Sequence, residues 1–191
     1  MKIIKNVLPN ENNIKIIKHL IRSNNWMMAY DVKRNDEETI LEHGSISIKI
    51  NRKLDLESLH NNFLNFKGMS MTTYNTEAAI DIDPYLNDYG HKIAKIVCKK
   101  AKIKKYKVFR FFWNFYRPND VTEWHLDKGN SGFMSFVYNL HNSDGGTEVG
   151  KKIYYDKEGE AKLFKSDTKH RGLGPKKLSF RLNLNCILQL K

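Results

Sequence analysis

The chain has 191 residues, of which 40% are hydrophobic and 12% aromatic; this composition excludes a disordered chain and allows a sizeable core. Its 33 basic and 21 acidic residues give a formal net charge of +12, which permits a nucleic-acid partner but is also what a lysine-, asparagine- and isoleucine-rich composition produces. No apolar run reaches the ~20 residues of a membrane span and no secretory signal is recognisable, so we expect an intracellular, cytoplasmic protein. Cys98 and Cys186 are too few for a disulfide framework and are expected to be buried thiols.

The chain before residue 82 predicts helices and a strand. Apolar residues at helical spacing predict a helix over about 11–23, and alternating polar and apolar residues predict a strand over 45–50. A short helix is expected over 55–66. Residues 67–81 follow neither period, and we interpret them as a loop that closes over a site. The expected apolar stripe of the first helix is Ile14, Ile17, Leu20 and Ile21.

A second long helix is expected to begin at Asp83-Pro84. Aspartate is a favoured N-cap, and proline is tolerated at the first helical position. The helix should run to about residue 104, where a lysine cluster suits the negative end of the helix dipole. Its expected apolar stripe is Tyr85, Tyr89, Ile93, Ile96 and Val97.

From about residue 106 onward, short β-prone runs alternate with polar, glycine-rich turns. Turns are expected at residues 144–146, which read Asp-Gly-Gly, and at 172–175, which read Gly-Leu-Gly-Pro. Many short strands separated by such turns favour an antiparallel sandwich or jelly roll. The predicted strands are 107–116, 133–140, 151–155, 161–165 and 178–188.

These elements predict a mainly β fold with flanking helices. We expect a single domain over residues 1–191. Within it, residues 1–105 would form a helical and strand support region, and residues 106–191 would form the jelly-roll core that carries the functional site.

Three residues offer a set of metal ligands. In His125-Leu126-Asp127, the alternation of a strand points the first and third side chains the same way. His170 precedes a glycine-rich turn and the last predicted strand. Two histidines and one carboxylate on one face of an octahedral ion leave the opposite face open, as in non-haem Fe(II) oxygenases. A lone histidine is more often a hydrogen-bonded residue without a metal. His141 is an alternative third ligand, and we prefer His170 because of the strand that follows it.

The last predicted strand carries an anion anchor. Alternation puts Arg181 and Asn183 on one face, and an arginine inside a β-sandwich is unfavourable unless it meets an anion. Its planar fork matches a carboxylate, for example the distal carboxylate of 2-oxoglutarate. Asn114 and Tyr116 share a face of the strand before His125 and offer neutral donors to the same kind of ligand. The alternatives are that Arg181 faces solvent on an edge strand and that Tyr116 is a structural residue of an aromatic strand.

Taken together, these residues resemble the 2-oxoglutarate/Fe(II)-dependent dioxygenase superfamily over about residues 108–188. The resemblance implies a double-stranded β-helix, another name for the jelly roll. It rests on Asn114-x-Tyr116, His125-x-Asp127, the turn Asp144 to Thr147, the strand from Gly159-x-Ala161 to Phe164, His170, and Arg181-x-Asn183.

The resemblance also implies an activity: hydroxylation of a C–H bond with O₂, coupled to oxidative decarboxylation of 2-oxoglutarate to succinate and CO₂. Fe(II) would be held by His125, Asp127 and His170. The implied cosubstrate-binding residues are Arg181, Tyr116, Asn114 and Asn183. Arg171, beside His170, is a further candidate for binding the keto-acid end.

The chain resembles two branches of the superfamily. The turn Gly145-Gly146-Thr147 is similar to the prolyl-hydroxylase-like branch, which implies a protein or peptide substrate. The small size and the lysine-, asparagine- and isoleucine-rich composition resemble phage-encoded or marine bacterial members. The AlkB-like nucleic-acid demethylases share the Asn-x-Tyr and Arg-x-Asn patterns. They carry a second arginine where this chain has Ile187 and an acidic residue where it has Gly129. A third interpretation, from another class, is a cupin-like binding protein without turnover.

Overall fold

A computed structural model describes residues 1–23, 26–28, 39–43, 46–50, 69–129 and 131–191. These residues form two α-helices, α1 (Asn10–Arg22) and α2 (Pro84–Ala101). The strands, in chain order, are β1 (Lys2–Ile4), β2 (Met27–Met28), β3 (Thr39–His43), β4 (Ile46–Ile50), β5 (Met69–Asn75), β6 (Ile80–Asp81), β7 (Tyr106–Tyr116), β8 (Phe133–Asn139), β9 (Ser143–Val149), β10 (Lys152–Asp156), β11 (Ala161–Lys165), β12 (His170–Leu173) and β13 (Arg181–Leu190).

The larger sheet is antiparallel and has the strand order β1-β11-β8-β13-β7-β5-β2, with β6 paired to β5. Its central strand β13 pairs with β7 on one side and β8 on the other. Residues ahead of 106 therefore add strands to the sheet that carries the site. β3 and β4 form a separate antiparallel pair, so the strand predicted over 45–50 is confirmed as β4.

A smaller antiparallel sheet has the order β10-β9-β12. The segment before β8 extends it through isolated bridges from Val121 to Leu173 and from His125 to His170. Arg181 on β13 contacts residues of β10, β9 and β12, so the two sheets lie face to face. The predicted jelly roll with flanking helices is confirmed.

The hydrophobic core lies on the outer face of the larger sheet, under the helices. Alternation along β7 turns Phe111 and Trp113 to this face, and β13 contributes Leu184 and Cys186. Ile93 of α2 is among the fully buried residues that complete the cluster. The large apolar cluster thus serves helix–sheet packing, whereas the space between the two sheets holds the buried polar side chains together with a few apolar ones, such as Phe164 and Ile187.

Both cysteines are free and buried, as expected. Burial raises the pKa of the Cys98 thiol to about 11 and that of the Cys186 thiol well above its usual value. No helix of the described residues is long and apolar enough to cross a membrane.

The loop interpretation of residues 67–81 is wrong for the part that the structure describes. β5 lies between β7 and β2 as an internal strand of the larger sheet. Its alternation is short, because a register shift between Thr72 and Tyr74 interrupts it. The helix expected over 55–66 lies outside the described residues.

The turn predicted at 144–146 is also wrong, because these residues belong to β9. The glycines serve close strand packing: a Cβ added to Gly145 would lie 2.6 Å from the carbonyl oxygen of Leu173. Likewise, the turn predicted over 172–175 is wrong for its first two residues, since β12 extends to Leu173.

The long helices are confirmed, but their buried faces are rotated from the predicted stripes. α2 buries Leu86 and Gly90, whereas Tyr85 is 41% exposed. In α1 the buried residues are Asn13, Ile16 and Leu20, and Ile14 and Ile21 are exposed. α2 ends at Ala101 rather than near 104, because Lys102 adopts the left-handed conformation with φ of 64°.

Candidate metal centre

His125, Asp127 and His170 come together at one end of the space between the two sheets. One ligand atom from each residue lies within 4.8 Å of the others. His125 Nε2 is 3.9 Å from Asp127 Oδ1, and His170 Nε2 is 3.8 Å from Asp127 Oδ2. These separations are too long for hydrogen bonds and suit three ligands around one ion.

Backbone pairing brings the two histidines together. The N–H of His125 donates to the carbonyl of His170 at 2.9 Å, and the reverse bond measures 3.0 Å. Residues paired in this way across antiparallel strands turn their side chains to the same face. The ring centroids are accordingly 4.4 Å apart.

The orientation of each imidazole is fixed by a bond from its other ring nitrogen. His125 Nδ1 bonds the carbonyl of Glu123 at 2.8 Å, and His170 Nδ1 bonds that of Thr168 at 2.9 Å. Each Nδ1 is therefore the donor, and each Nε2 is left with a free lone pair for a metal. Burial, together with the neighbouring His170, lowers the pKa of His125, which favours the neutral imidazole that binds metals.

Asn185 orients the carboxylate of Asp127. Its Nδ2 donates to both oxygens of Asp127, at 3.0 and 3.2 Å. Sequence reasoning missed Asn185, although it continues the alternation of Arg181 and Asn183 along the last strand. Two neutral imidazoles and an oriented carboxylate suit a divalent first-row metal ion, so the donor set fits the implied iron.

Arg181 lies buried between the sheets with 1% of its surface exposed, not on a solvent-facing edge. Its Nε donates to Asp156 Oδ2 at 2.7 Å, and its guanidinium stacks on the Tyr116 ring, 4.7 Å from the centroid. Longer bonds of 3.4 Å join it to Thr147 Oγ1 and to the carbonyl of Leu173. The carboxylate of Asp156 therefore already occupies one edge of the Arg181 guanidinium.

A second buried cation shares that anion. Lys162, on β11, donates to Asp156 Oδ1 and has only 1% of its side chain exposed. Burial would raise the pKa of Asp156, but Arg181 and Lys162 outweigh it and lower the pKa. Two cations and one carboxylate leave this pocket with a net positive charge, so it still favours an incoming anion. Asp156 and Lys162 gave no signal in the sequence, because only the fold brings them to Arg181.

Tyr116 lines the same pocket and is tightly confined. A Cβ added to Gly172 would collide with the Tyr116 hydroxyl and lie 2.7 Å from Cζ. Burial raises the pKa of Tyr116, against the opposing effect of Arg181, so the phenol remains a neutral donor. Gly172 thus makes room for Tyr116, one of the predicted cosubstrate-binding residues.

Asn114 and Asn183 are opposite each other on β7 and β13, with Asn114 Nδ2 donating to Asn183 Oδ1 at 3.0 Å. Asn183 Nδ2 is buried and has no hydrogen-bond partner among the residues described. Other unpartnered buried polar atoms share this inner face, which indicates that the space between the sheets receives a polar ligand or water. They are Ser70 Oγ, Thr72 Oγ1, Asn139 Oδ1 and Asn185 Oδ1.

Two candidate residues lie away from the group. His141 accepts a bond from the N–H of Leu182 at 3.1 Å and is not part of the cluster. Arg171 pairs with Glu148 at 2.6 Å and stacks on Trp124. Because Arg171 follows His170 along β12, strand alternation turns it to the opposite face.

The fold and site together define a class: a jelly roll with two histidines and one carboxylate between its sheets. No protein-family model and no curated protein sequence matches the chain. Solved structures do match its fold over nearly the whole chain.

One is the viral collagen prolyl hydroxylase of Paramecium Bursaria Chlorella virus-1 in complex with 2-oxoglutarate, at 13% identity, with 100% of this chain and 95% of that chain covered and a TM-score of 0.56. HygX from Streptomyces hygroscopicus, with nickel and 2-oxoglutarate bound, matches at 8% identity, 99% and 82% coverage and a TM-score of 0.59. A prolyl-4-hydroxylase from Pseudomonas putida matches at 11% identity, 100% and 92% coverage and a TM-score of 0.54. The fold of this chain is therefore one that 2-oxoglutarate-dependent oxygenases use.

Proposed function

We propose that the protein is an Fe(II)- and 2-oxoglutarate-dependent dioxygenase that hydroxylates a C–H bond. The observation that carries the proposal is the convergence of His125 Nε2, His170 Nε2 and the Asp127 carboxylate in a jelly roll whose interior also holds a buried cation pair. Histidine and carboxylate ligands of this kind support non-haem Fe(II) sites with open positions.

Each residue has a distinct part in this proposal. His125, Asp127 and His170 hold the iron, and Asn185 orients Asp127. Iron and 2-oxoglutarate supply the oxidising chemistry, with O₂ consumed and succinate and CO₂ released. Arg181 draws the far carboxylate of the cosubstrate into the pocket.

Neutral donors complete the cosubstrate site. Tyr116 is held against Arg181, and Asn183 has a free amide donor that Asn114 orients. Both suit a carboxylate oxygen, which can accept several hydrogen bonds.

For the primary substrate we propose a protein or peptide, with a prolyl residue as the first candidate. Two solved structures of the same fold are named as prolyl hydroxylases, and the Gly-Gly-Thr sequence of β9 is similar to that branch. A screen of proline-rich peptides for substrate-dependent succinate formation tests this choice. Succinate without peptide oxidation would direct the search to other substrates.

The test of the reaction class is an anaerobic titration of the purified protein with Fe(II) and 2-oxoglutarate. We expect a visible charge-transfer band from the metal-bound keto acid in the unmodified protein. Asp127→Ala should abolish the band, and Arg181→Met should require at least tenfold more cosubstrate.

Matched controls are Asp88→Ala and Arg22→Met, because both residues are exposed and lie on helices. They should leave the titration unchanged. If Arg181→Met fails to fold, Asn183→Leu provides a milder change in the same pocket. Absence of the band in well-folded, unmodified protein would refute the oxygenase proposal and favour a cupin-like binding protein.

A nucleic-acid substrate is the second candidate, because the net charge is +12. Ile187 is buried, so this position offers no second cation to a ligand. Affinity for single-stranded DNA or RNA that falls steeply with salt would support this candidate. Weak binding that is insensitive to salt would exclude it.

A further inference from the structure

Arg110 is a buried cation near the candidate metal centre that the proposed function does not use. It lies on β7 and has 8% of its surface exposed. The Nε of Arg110 has no hydrogen-bond partner in the part of the chain that the structure describes. Among the described residues it forms no ion pair, and its guanidinium lies 5.3 Å from the centroid of the Phe112 ring.

Such a residue is unfavourable unless an anion joins it. A buried guanidinium without a counter-ion loses hydration, and a cation–π contact restores only part of that free energy. Burial accordingly lowers the pKa of Arg110. Within the described ranges, Arg110 therefore lacks a counter-ion of the kind that Asp156 provides for Arg181.

The acidic groups that act electrostatically on Arg110 are engaged elsewhere. Asp127 and Glu77 both act electrostatically on Arg110. Asp127 accepts from Asn185 and faces the two histidines, however, and Glu77 pairs with Lys128 at 3.1 Å. When a metal ion engages Asp127, even less of its negative charge remains for Arg110.

The strand register fixes where Arg110 lies. It shares the inner face of β7 with Asn114 and Tyr116, and its partner on β13 is Ile187. Along β13, Arg181 precedes Asn185 by four residues, or about 13 Å, and Ile187 follows Asn185 by two, or about 7 Å. Arg110 and Arg181 thus lie on opposite sides of the position that holds Asp127.

We propose that Arg110 forms an oxyanion-binding site beside the metal centre, on the side away from Arg181, and that it binds a carboxylate held at or next to the metal. The inference deepens the proposed oxygenase function and rests on it. Two sources supply this chemistry: the keto-acid end of the cosubstrate and a carboxylate of the primary substrate.

The test compares unmodified protein, Arg110→Met and Arg110→Lys, each loaded with Co(II) and followed by its visible spectrum and by calorimetry. Three probes are titrated: 2-oxoglutarate; oxalate, which chelates the metal but lacks the chain that leads to Arg181; and acetate added to the 2-oxoglutarate complex. Lys107→Met serves as the control, because Lys107 is exposed on the same strand.

If the carboxylate belongs to the cosubstrate, Arg110→Met should lower the affinity for both oxalate and 2-oxoglutarate about 10- to 100-fold, and Arg110→Lys should restore part of that affinity. If the carboxylate belongs to the primary substrate, Arg110→Met should bind oxalate and 2-oxoglutarate with unchanged affinity. It should no longer bind acetate in the 2-oxoglutarate complex. Equal binding of all three probes, within twofold, by Arg110→Met and unmodified protein would overturn the inference.

Stability gives an independent readout. Because Arg110 has no counter-ion among the described residues, Arg110→Met should melt at or above the temperature of the unmodified protein. A variant that fails to fold would show that the guanidinium is structural and would also overturn the inference. Failure of the proposed function looks different, since the unmodified protein would then not bind 2-oxoglutarate at its metal.

Discussion

Hydrogen bonds with the backbone and with Asn185 orient the three side chains of the candidate metal centre. The Nδ1 atoms of His125 and His170 bond backbone carbonyls, and Asn185 donates to both oxygens of Asp127. Such bonds fix tautomer and rotamer before a metal arrives, which reduces the conformational entropy lost on binding.

Asn185→Ala removes the donor to Asp127 and leaves all three ligands in place. We expect affinity for a divalent ion to fall by about 10- to 100-fold, because the carboxylate is no longer oriented. Competition with a coloured chelator measures this with Co(II) or Mn(II). The exposed residue Asn142 provides the control Asn142→Ala, and equal metal affinity of both variants would show that Asn185 has no role in orienting the ligand.

Gly172→Ala tests the confinement of Tyr116. The added methyl group collides with the phenol, so we expect a loss of about 1–3 kcal/mol in the free energy of unfolding. Tyr116→Phe in the same chain removes the hydroxyl and should recover part of the loss. Additive effects in urea unfolding of the single and double variants would contradict this contact.

At the scale of elements, α2 is positioned on the sheet by its cap and by one glycine. Asp83 Oδ1 accepts from the N–H of Leu86 at 3.0 Å, and Asp83 Oδ2 contacts His19 Nε2 of α1 at 2.9 Å. Gly90 lies directly over Phe111 of β7, where a Cβ would be 2.7 Å from a ring carbon. The helix therefore approaches the strand that also carries Arg110, Asn114 and Tyr116.

Gly90→Ala should destabilise the protein although alanine is the better helix former. Overpacking against Phe111 costs about 1–3 kcal/mol and exceeds the gain of about 1 kcal/mol in helix propensity. Lys92→Ala, at an exposed position of the same helix, should change the free energy of unfolding by less than about 0.5 kcal/mol. Equal melting temperatures of Gly90→Ala and the unmodified protein would mean that helix and strand separate easily.

On the scale of the whole molecule, the larger sheet divides the described residues into an apolar and a polar side. The helices cover the apolar face, and the opposite face carries the candidate metal ligands and the buried charges of Arg181, Asp156 and Lys162. Burial of charges is unfavourable by itself, so this arrangement favours ligand binding over maximal stability.

Because Lys162 is buried, the free energy of unfolding should depend on pH. Burial lowers its pKa to about 8 from the usual 10.5, although Asp156 acts in the opposite direction. Between these two values the unfolded chain binds more protons than the folded protein, so Lys162 should make the free energy of unfolding increase with pH across this window. Urea unfolding at several pH values measures the effect.

Lys162→Met should lack this contribution, so that its stability difference from the unmodified protein changes between pH 8 and 10.5. Lys165→Met, at an exposed position of β11, is the matched control and should follow the unmodified protein. Parallel stability curves for Lys162→Met and the unmodified protein would show that Lys162 titrates normally.

Local sequence patterns predict those helices and strands whose caps or β-prone runs lie within a few residues of each other. Asp83-Pro84 marked the start of α2, and the run 107–116 marked β7, because capping and β-propensity act within a few residues. β5 was missed because both of its faces are buried and a register shift interrupts it. The glycines at 145 and 146 suggested a turn, whereas close packing against neighbouring strands requires them within β9.

By itself, the sequence determined the fold class, the two helices and the alternation that places Arg181 and Asn183 on one face of their strand, since these depend on periodicity along the chain. Only the tertiary structure decided which side chains meet. Asn185 reaches Asp127, Asp156 and Lys162 surround Arg181, and Arg110 forms no ion pair with the described residues, because strands distant in sequence are paired or stacked there. The physical reason is that hydrogen bonds and ion pairs act over a few ångströms in space, and no local pattern encodes which residues the sheet brings within that distance.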